Sequence, residues 1–398
     1  MSLPRIHGRE YLEADEANSL NDYAIKSKNS ASKDDLPPTD RRMRFQRDMD
    51  QIRNSGEFKR LAGKSQVFPV YVNDNFTTRI THTIRVFGGS IGICRSLGLN
   101  EDLAGSIALA HDLGHTPFGH KGEEIIDKKL REMGLKGFDH NNQSYEIAVK
   151  LGLSKEVQEG TLKHSSKCDP KTKRYKTDDD QPSLEAQVVD MKDEIDYVAH
   201  DLEDGLKSGI IHLEDVKKLK LWQKAEKVVE AEEGVVENEV KYIKACVSAM
   251  IHVLVNDLVD TSAEMLGPIK SVDDVKNARD KLIRLSDDMD GALTEAVDYL
   301  YKNLYYSPKV KGYLGIADKV MGGLFDRYQQ NPDEIDNDEV MENRERYIEE
   351  QEGDEEKVNA LLAKDYIATF TDRFAIKMAL KHNIITQQEV DEMSQMQS

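Results

Sequence analysis

The dipeptide His111-Asp112 is preceded by His82, twenty-nine residues before His111, and followed by Asp193, eighty-one residues after Asp112. Together these side chains offer two imidazoles and two carboxylates to one divalent ion, the outline of a phosphohydrolase site. The donors are nitrogen and oxygen without thiolate, which suits Mn, Fe, Zn, Co or Mg and excludes a structural thiolate zinc site. Asn100 is a good N-cap, Glu101 and Asp102 suit a first helical turn, and Leu103, Ile107 and His111 then share one face. His111 is therefore expected to point inward. Neighbours on a helix diverge by about 100°, but Gly114 and Pro117 end this helix just after Asp112, so both side chains can converge on one ion.

Taken alone, a His-Asp pair near a helix end reads as a cap beside a packed imidazole. Its surroundings change that reading. The thirteen residues from His111 to Glu123 also contain His115 and His120. His120 and Glu123 are three apart at the start of the next helix, close enough for the carboxylate to orient the imidazole as a general acid/base pair. His140, in Phe138-Asp139-His140-Asn141-Asn142-Gln143-Ser144, supplies a further donor for a phosphate oxygen. Upstream, Arg79 and His82 are three apart and Val86 follows, which puts a cation and a metal ligand on one face. Downstream, Asp193, Tyr197 and Asp201 fall at i, i+4 and i+8, one stripe carrying a ligand, a phenol and another carboxylate.

These residues need elements to position them. With 398 residues and 38% hydrophobic content the chain can bury a large core, as one big domain or two, and reads as a soluble globular protein. The longest nearly apolar stretch, Ala245 to Val255, is too short to cross a bilayer and is broken by Ser248 and His252, so no membrane span is expected. No targeting leader is read at the N-terminus. Cys94, Cys168 and Cys246 are scattered and odd in number, which argues against a disulfide framework and for a reducing cytoplasm. The net charge of -19 would speak against a polyanionic ligand, but thirteen acids sit between Asp333 and Glu356. Between Arg41 and Lys64, by contrast, eight Lys or Arg residues face Asp48, Asp50 and Glu57, a basic surface that could attract phosphates.

Apolar residues recur at helical rather than alternating spacing almost throughout, which predicts an all-α fold with at most a short β-hairpin near Val67 to Asn75. The spacing predicts helices over 43–60, 78–97, 101–113, 120–133, 140–152, 184–208, 213–228, 237–260, 275–305, 310–329 and 358–381. Residues 1–40 are expected to form an irregular arm, 41–210 the catalytic core, and 211–398 a helical region that packs on the core and completes the substrate pocket. Ser165 to Gln181 reads as a charged loop.

Several blocks together resemble the HD-domain deoxynucleoside triphosphate triphosphohydrolases, the bacterial dGTPase-like group. They are Arg47-Asp48, Phe58 to Leu61, Lys64 to Phe68, Thr78 to Thr83, Ala110 to Glu123, Phe138 to Ser144, Asp193 to Gly205, Tyr301 to Pro308 and Asp365 to Phe374. The resemblance covers about residues 41–380 and implies an HD-domain helical core with additional C-terminal helices. It implies that His82, His111, Asp112 and Asp193 bind the metal, Mn or Mg first, with Co, Fe, Ni or Zn as alternatives. Arg79 would hold the α-phosphate region. His115, His120 and His140 would contact or protonate the triphosphate, with Glu123 orienting His120. Gln66, Tyr197 and Asp201 match positions that hold the sugar and its 3'-hydroxyl, and Tyr305 matches an aromatic residue against C2'. Tyr301, Lys302 and Arg373 match more loosely, near the triphosphate or subunit contacts. Two features depart from the pattern: Glu146 stands where the group often has a basic residue, and Ser165 to Gln181 has no clear counterpart.

The reaction implied is hydrolysis at the α-phosphorus, releasing deoxynucleoside and tripolyphosphate. Metal-activated water, charge stabilisation by Arg79 and His115, and His120 with Glu123 as the acid or base would carry it. The resemblance also implies a homo-oligomer, often a hexamer, and activation by a second deoxynucleotide. Two rival readings use the same residues. One is a phosphodiesterase or nucleotidase acting on a cyclic or monophosphate nucleotide; the other is a non-catalytic sensor of nucleotides or single-stranded nucleic acid that uses the Arg41 to Lys64 surface.

Overall fold

The structure is a computed structural model that describes residues 6–32, 37, 39–68, 76–165, 180–232 and 234–395. Its helices begin with α1 (Arg9–Ser19), α2 (Arg44–Asn54), α3 (Gly56–Arg60), α4 (Arg79–Leu97), α5 (Glu101–Ala110), α6 (Gly119–Glu132), α7 (His140–Lys150) and α8 (Lys155–Leu162). There follow α9 (Leu184–Lys207), α10 (Leu213–Val216), α11 (Lys220–Glu232), α12 (Glu239–Leu266), α13 (Val272–Lys276) and α14 (Asp287–Leu300). A single π-helical turn, Tyr301–Tyr305, leads to α15 (Pro308–Gln330), α16 (Asp338–Met341), α17 (Arg344–Glu350), α18 (Glu355–Ala368), α19 (Asp372–Lys381) and α20 (Gln387–Gln395). The fold is all-α: among the described residues there is no strand, only an isolated bridge between Ser65 and Thr78. Residues 69–75 of the expected hairpin and 166–179 of the expected loop lie outside the described residues.

The chain divides into two compact units, Met1–Ser55 with Thr83–His111 and Ser144–Leu300, and Gly56–His82 with Asp112–Gln143 and Tyr301–Ser398. In the first unit α5 packs on α2, α8 and α9. Its Leu103, Ala104, Ile107 and Ala108 are fully buried, and Asn100 Oδ1 accepts from Leu103 N at 3.1 Å as the spacing predicts. Every residue of α9 from Leu184 to Ala199 is buried, its acids included. Buried polar groups are costly unless bonded, and here they tether the surrounding chain. Glu185 Oε1 accepts from Ile25 N and Asn100 N, and Gln187 Oε1 accepts from Leu282 N and Ile283 N. Burial without charge compensation pushes the Glu185 carboxyl up to about 7. By length and mean hydropathy α12 could cross a bilayer, but it packs on α11 and α9 and carries His252, Asn256, Asp257 and Asp260.

In the second unit α15 is central and packs on α6, α18 and α19. Val320, Met321, Leu324, Phe325 and Tyr328 form its buried stripe, and the Tyr328 and Tyr366 rings meet edge to face at 4.9 Å. Pro308 opens this helix where a missing N–H costs nothing, and Ser307 Oγ caps it.

The expected helices differ from the observed ones mainly at breaks. The 43–60 helix is interrupted at Ser55, whose hydroxyl donates to Ile52 O. The 275–305 helix resolves into α13, an irregular stretch, α14 and the π turn, while 358–381 is cut where Thr371 caps α19. The N-terminal arm contains α1, tied by Glu16, which accepts from Ser27 N and Oγ. Helices α8 and α20, and the short α16 and α17 within the acidic segment, were not expected from spacing.

Candidate functional site

In the first unit His111 caps the C-terminal end of α5, with its amide bonded to Ile107 O. Its side chain is buried, and Nδ1 lies 2.7 Å from Ala108 O. A carbonyl can only accept, so the ring proton sits on Nδ1 and the lone pair of a neutral ring is on Nε2. That nitrogen stands 3.9 Å from Asp193 Oδ1 on α9. A tautomer fixed by the backbone, with Nε2 beside a carboxylate, is a donor arrangement that fits a divalent ion. Tyr197 and Asp201, one and two turns further along α9, are also buried.

His164, which follows α8, enters the same neighbourhood. Its Nδ1 is 2.7 Å from Asp190 Oδ1, its Nε2 is 3.4 Å from Asp193 Oδ2, and its ring centroid lies 5.1 Å from that of His111. Burial alone would lower its pKa, but the Asp190 and Asp193 carboxylates outweigh it and hold the imidazolium up to about 10. Asp190 also accepts from Lys281 Nζ at 2.5 Å and from Ser165 N at 3.2 Å.

In the second unit Asp112 is gripped from two sides, by Arg79 Nη1 at 3.2 Å and His115 Nε2 at 3.0 Å. Arg79 is 2% exposed, and its Nε and Nη2 have no hydrogen-bond partner among the described residues. A buried guanidinium with two spare donors is suited to an anion. Gly119 makes room for it: φ is +57°, and a Cβ there would lie 3.1 Å from Arg79 Nη2. His82 is buried in the first turn of α4, its amide bonded to Thr78 O at 3.0 Å.

His115, His120, Glu123 and His140 each offer a donor atom, and these atoms all lie within 4.8 Å of one another. The His115 and His140 rings stack with centroids 3.9 Å apart. Glu123, fully buried, stands 3.2 Å from His140 Nδ1 and 3.5 Å from His120 Nδ1, so it serves two imidazoles rather than His120 alone. Although burial opposes ionisation, His140 and His120 together keep the Glu123 carboxyl well below the usual range. His115 is driven the other way: burial, then the charges of Arg79 and His140, hold its pKa well down and the ring neutral. The cluster therefore pairs a neutral imidazole with an ionised carboxylate between two others.

The loop carrying His115 is fastened from behind. Lys64, 1% exposed, donates from Nζ to His115 O and, at 2.9 Å, to Ala368 O. Asp372 Oδ1 accepts from Phe118 N at 2.9 Å, and its Oδ2 accepts from Ser65 N and Oγ. Phe118 is held at φ +61°, an uncommon setting for a non-glycine residue. Gln66 has its Oε1 buried, Tyr301 and Tyr305 are half-buried in the π turn, and Lys302 is exposed there.

Comparison with known proteins gives the family. An HD domain model matches residues 79–198, and a phosphohydrolase-associated domain model matches 283–381. A deoxyguanosinetriphosphate triphosphohydrolase-like protein of Leptospira interrogans is 34% identical over 386 residues, covering 93% of this chain and 98% of that protein. The chain belongs to this dGTPase-like family of HD-domain proteins. Relatives with the same description from Geobacter sulfurreducens and Deinococcus radiodurans are each 35% identical, covering 85% and 81% of this chain and 88% of each relative. A crystal structure of a hypothetical protein from Aquifex aeolicus aligns with 87% of this chain and 71% of its own, at 15% identity and a TM-score of 0.42. Family membership and the His/Glu/Asp donors support a phosphohydrolase that uses a divalent metal.

Reading the dGTPase-like sequence by spacing missed His164, Asp190 and Lys281. A lone histidine after an unexpected helix, one carboxylate on a long helix and a lysine in an irregular stretch share no spacing that would link them. Lys64 and Asp372 lie in the blocks that carry the family resemblance, but sequence gives neither a partner.

Proposed function

We propose that this chain hydrolyses deoxynucleoside triphosphates at the α-phosphorus, releasing deoxynucleoside and intact tripolyphosphate. The observation that carries the reading is Arg79: a buried guanidinium with two nitrogens that bond nothing among the described residues, fixed through Asp112 beside a cluster of three imidazoles and a carboxylate. Such a site is built for several negative charges next to acid/base groups.

In this reading His82, His111, Asp112 and Asp193 hold a divalent ion, which when bound supplies a low-pKa water and neutralises a nonbridging oxygen. Arg79 binds the α-phosphate with its spare N–H groups. His115, neutral, donates its one ring proton to Asp112 and so helps Arg79 to hold that carboxylate in place. His120, the more exposed imidazole of the cluster, is the group that exchanges a proton with the reacting atoms, and Glu123 holds it in place while also bonding His140. Gln66, Tyr197 and Asp201 are assigned to the sugar, Tyr305 to the C2' face that excludes a ribose hydroxyl, and Tyr301 and Lys302 to the triphosphate end. A homo-oligomer activated by a second deoxynucleotide belongs to the same proposal.

The test is product analysis by 31P NMR in 18O-enriched water, with each of the four deoxynucleotides, alone and mixed, in Mn2+ and Mg2+. Tripolyphosphate labelled with one 18O supports the reading. Nucleoside monophosphate with pyrophosphate, or turnover of cyclic or monophosphate nucleotides alone, overturns it.

A further inference from the structure

Asp190 and Asp193 are three residues apart on α9 and therefore neighbours on one face, both buried. Two adjacent carboxylates out of water repel one another unless a cation or donor stands between them. The His164 ring occupies that place. It spans the pair, with Nδ1 at 2.7 Å from Asp190 Oδ1 and Nε2 at 3.4 Å from Asp193 Oδ2. The two oxygens of Asp193 consequently face different partners: Oδ2 toward His164, Oδ1 toward His111 Nε2. On its far side Asp190 is anchored by Lys281 Nζ at 2.5 Å and by Ser165, whose hydroxyl Lys281 also bonds at 2.7 Å. Lys281, Asp190, His164 and Asp193 thus form one continuous chain of contacts that ends on a carboxylate and leaves one of its oxygens directed at His111.

We propose that His164, fixed by Asp190 and Lys281, is a positioning residue that holds the Asp193 carboxylate in the orientation in which it would bind the divalent metal, without itself being a ligand. The inference rests on the reading of His111 and Asp193 as metal ligands. Groups that hold a ligating side chain in place govern metal affinity through its orientation, and their loss typically weakens binding about 10- to 100-fold. Nδ1 of His164 is already committed to Asp190 and its Nε2 to Asp193, so neither ring nitrogen is directed to an ion.

The experiment is Mn2+ binding to the metal-free full chain by calorimetry, with pulsed EPR of the loaded protein to count coordinated imidazole nitrogens. The variants are His164→Gln, Asp190→Asn, Lys281→Met and His111→Ala. The expected result is an affinity loss of about 10- to 100-fold for His164→Gln and Asp190→Asn, a smaller loss for Lys281→Met, and an imidazole count unchanged by all three. His111→Ala should lower that count. Wild-type affinity in His164→Gln alongside lost binding in His111→Ala overturns this inference and leaves the ligand reading intact. A lower imidazole count in His164→Gln also overturns it, since the ring would then be a ligand. If His164→Gln does not fold, Lys281→Met decides, because it keeps the ring and both carboxylates: unchanged affinity there overturns the inference. Absent Mn2+ binding in the wild type, or full binding in His111→Ala, removes the ligand reading itself.

Discussion

Arg79 and Asp112 meet at 3.2 Å, both buried, in an ion pair that, among the described residues, engages one of the guanidinium nitrogens. The pair holds the arginine in a fixed orientation and leaves its remaining donors for an anion. Arg79→Lys should not substitute, because a single ammonium cannot both hold Asp112 and present a fork to a phosphate. Loss of such a charge-stabilising donor costs ~2.7 to 4 kcal/mol, about 10²- to 10³-fold in turnover. Steady-state kinetics of tripolyphosphate release by Arg79→Lys and Arg79→Met check this; near-wild-type rates would show that Arg79 serves the fold only.

Gly119 is a second point of control over Arg79. At φ +57° an alanine is strained by about 1–2 kcal/mol, and its Cβ would press on Nη2 from 3.1 Å. Gly119→Ala is expected to lower thermal stability modestly and KM-limited activity more strongly. Thermal unfolding and kcat/KM measured on the same preparation separate the two effects.

Asp372 joins Ser65 to Phe118 behind the His115 loop. Asp372→Ala leaves buried N–H groups unsatisfied, each costing about 1–3 kcal/mol, and frees the strained Phe118. The expected outcome is a large drop in denaturation midpoint together with reduced turnover. A stable, fully active variant would mean that this fastening has no bearing on the site.

Glu185 gives a pH signature. Its folded pKa, pushed up to about 7 by burial, lies above the ordinary glutamate value of 4.5. Between those values the native state binds the extra proton, so stability should fall as pH rises from 4.5 to about 7 and stay low above it. Glu185→Gln keeps the Oε1 acceptor for Ile25 N and Asn100 N and removes the titration. Its advantage over wild type at pH 8 is expected to be on the order of 3 kcal/mol, vanishing at pH 4, as read by urea denaturation across pH. An advantage independent of pH would assign the effect elsewhere.

Much of the fold was legible because it depends on local pattern. Asn100, Leu103, Ile107 and His111 specify a capped helix with His111 on its inner face, and that is where it lies. Breaks were harder to read: Ser55 and Thr371 end helices through hydrogen bonds that compete with the ladder, and neither leaves a gap in the apolar period. The arm read as irregular because its helix α1 buries no residue and is held instead by the Glu16 tether to Ser27. Around the site, the short-range elements were visible as His115, His120 and Glu123 within one run. The sharing of Glu123 with His140, and the contacts of Lys64, His164 and Asp372, join segments up to hundreds of residues apart and depend on tertiary packing alone.

The most direct test of the central claim is tripolyphosphate release by purified wild type and His111→Ala, each with a deoxynucleoside triphosphate and Mn2+, with folding verified by circular dichroism. The account predicts stoichiometric tripolyphosphate and deoxynucleoside from the wild type and none from the folded variant. Equal release by both, or a wild type that yields no tripolyphosphate from any of the four deoxynucleotides alone or mixed, would contradict it.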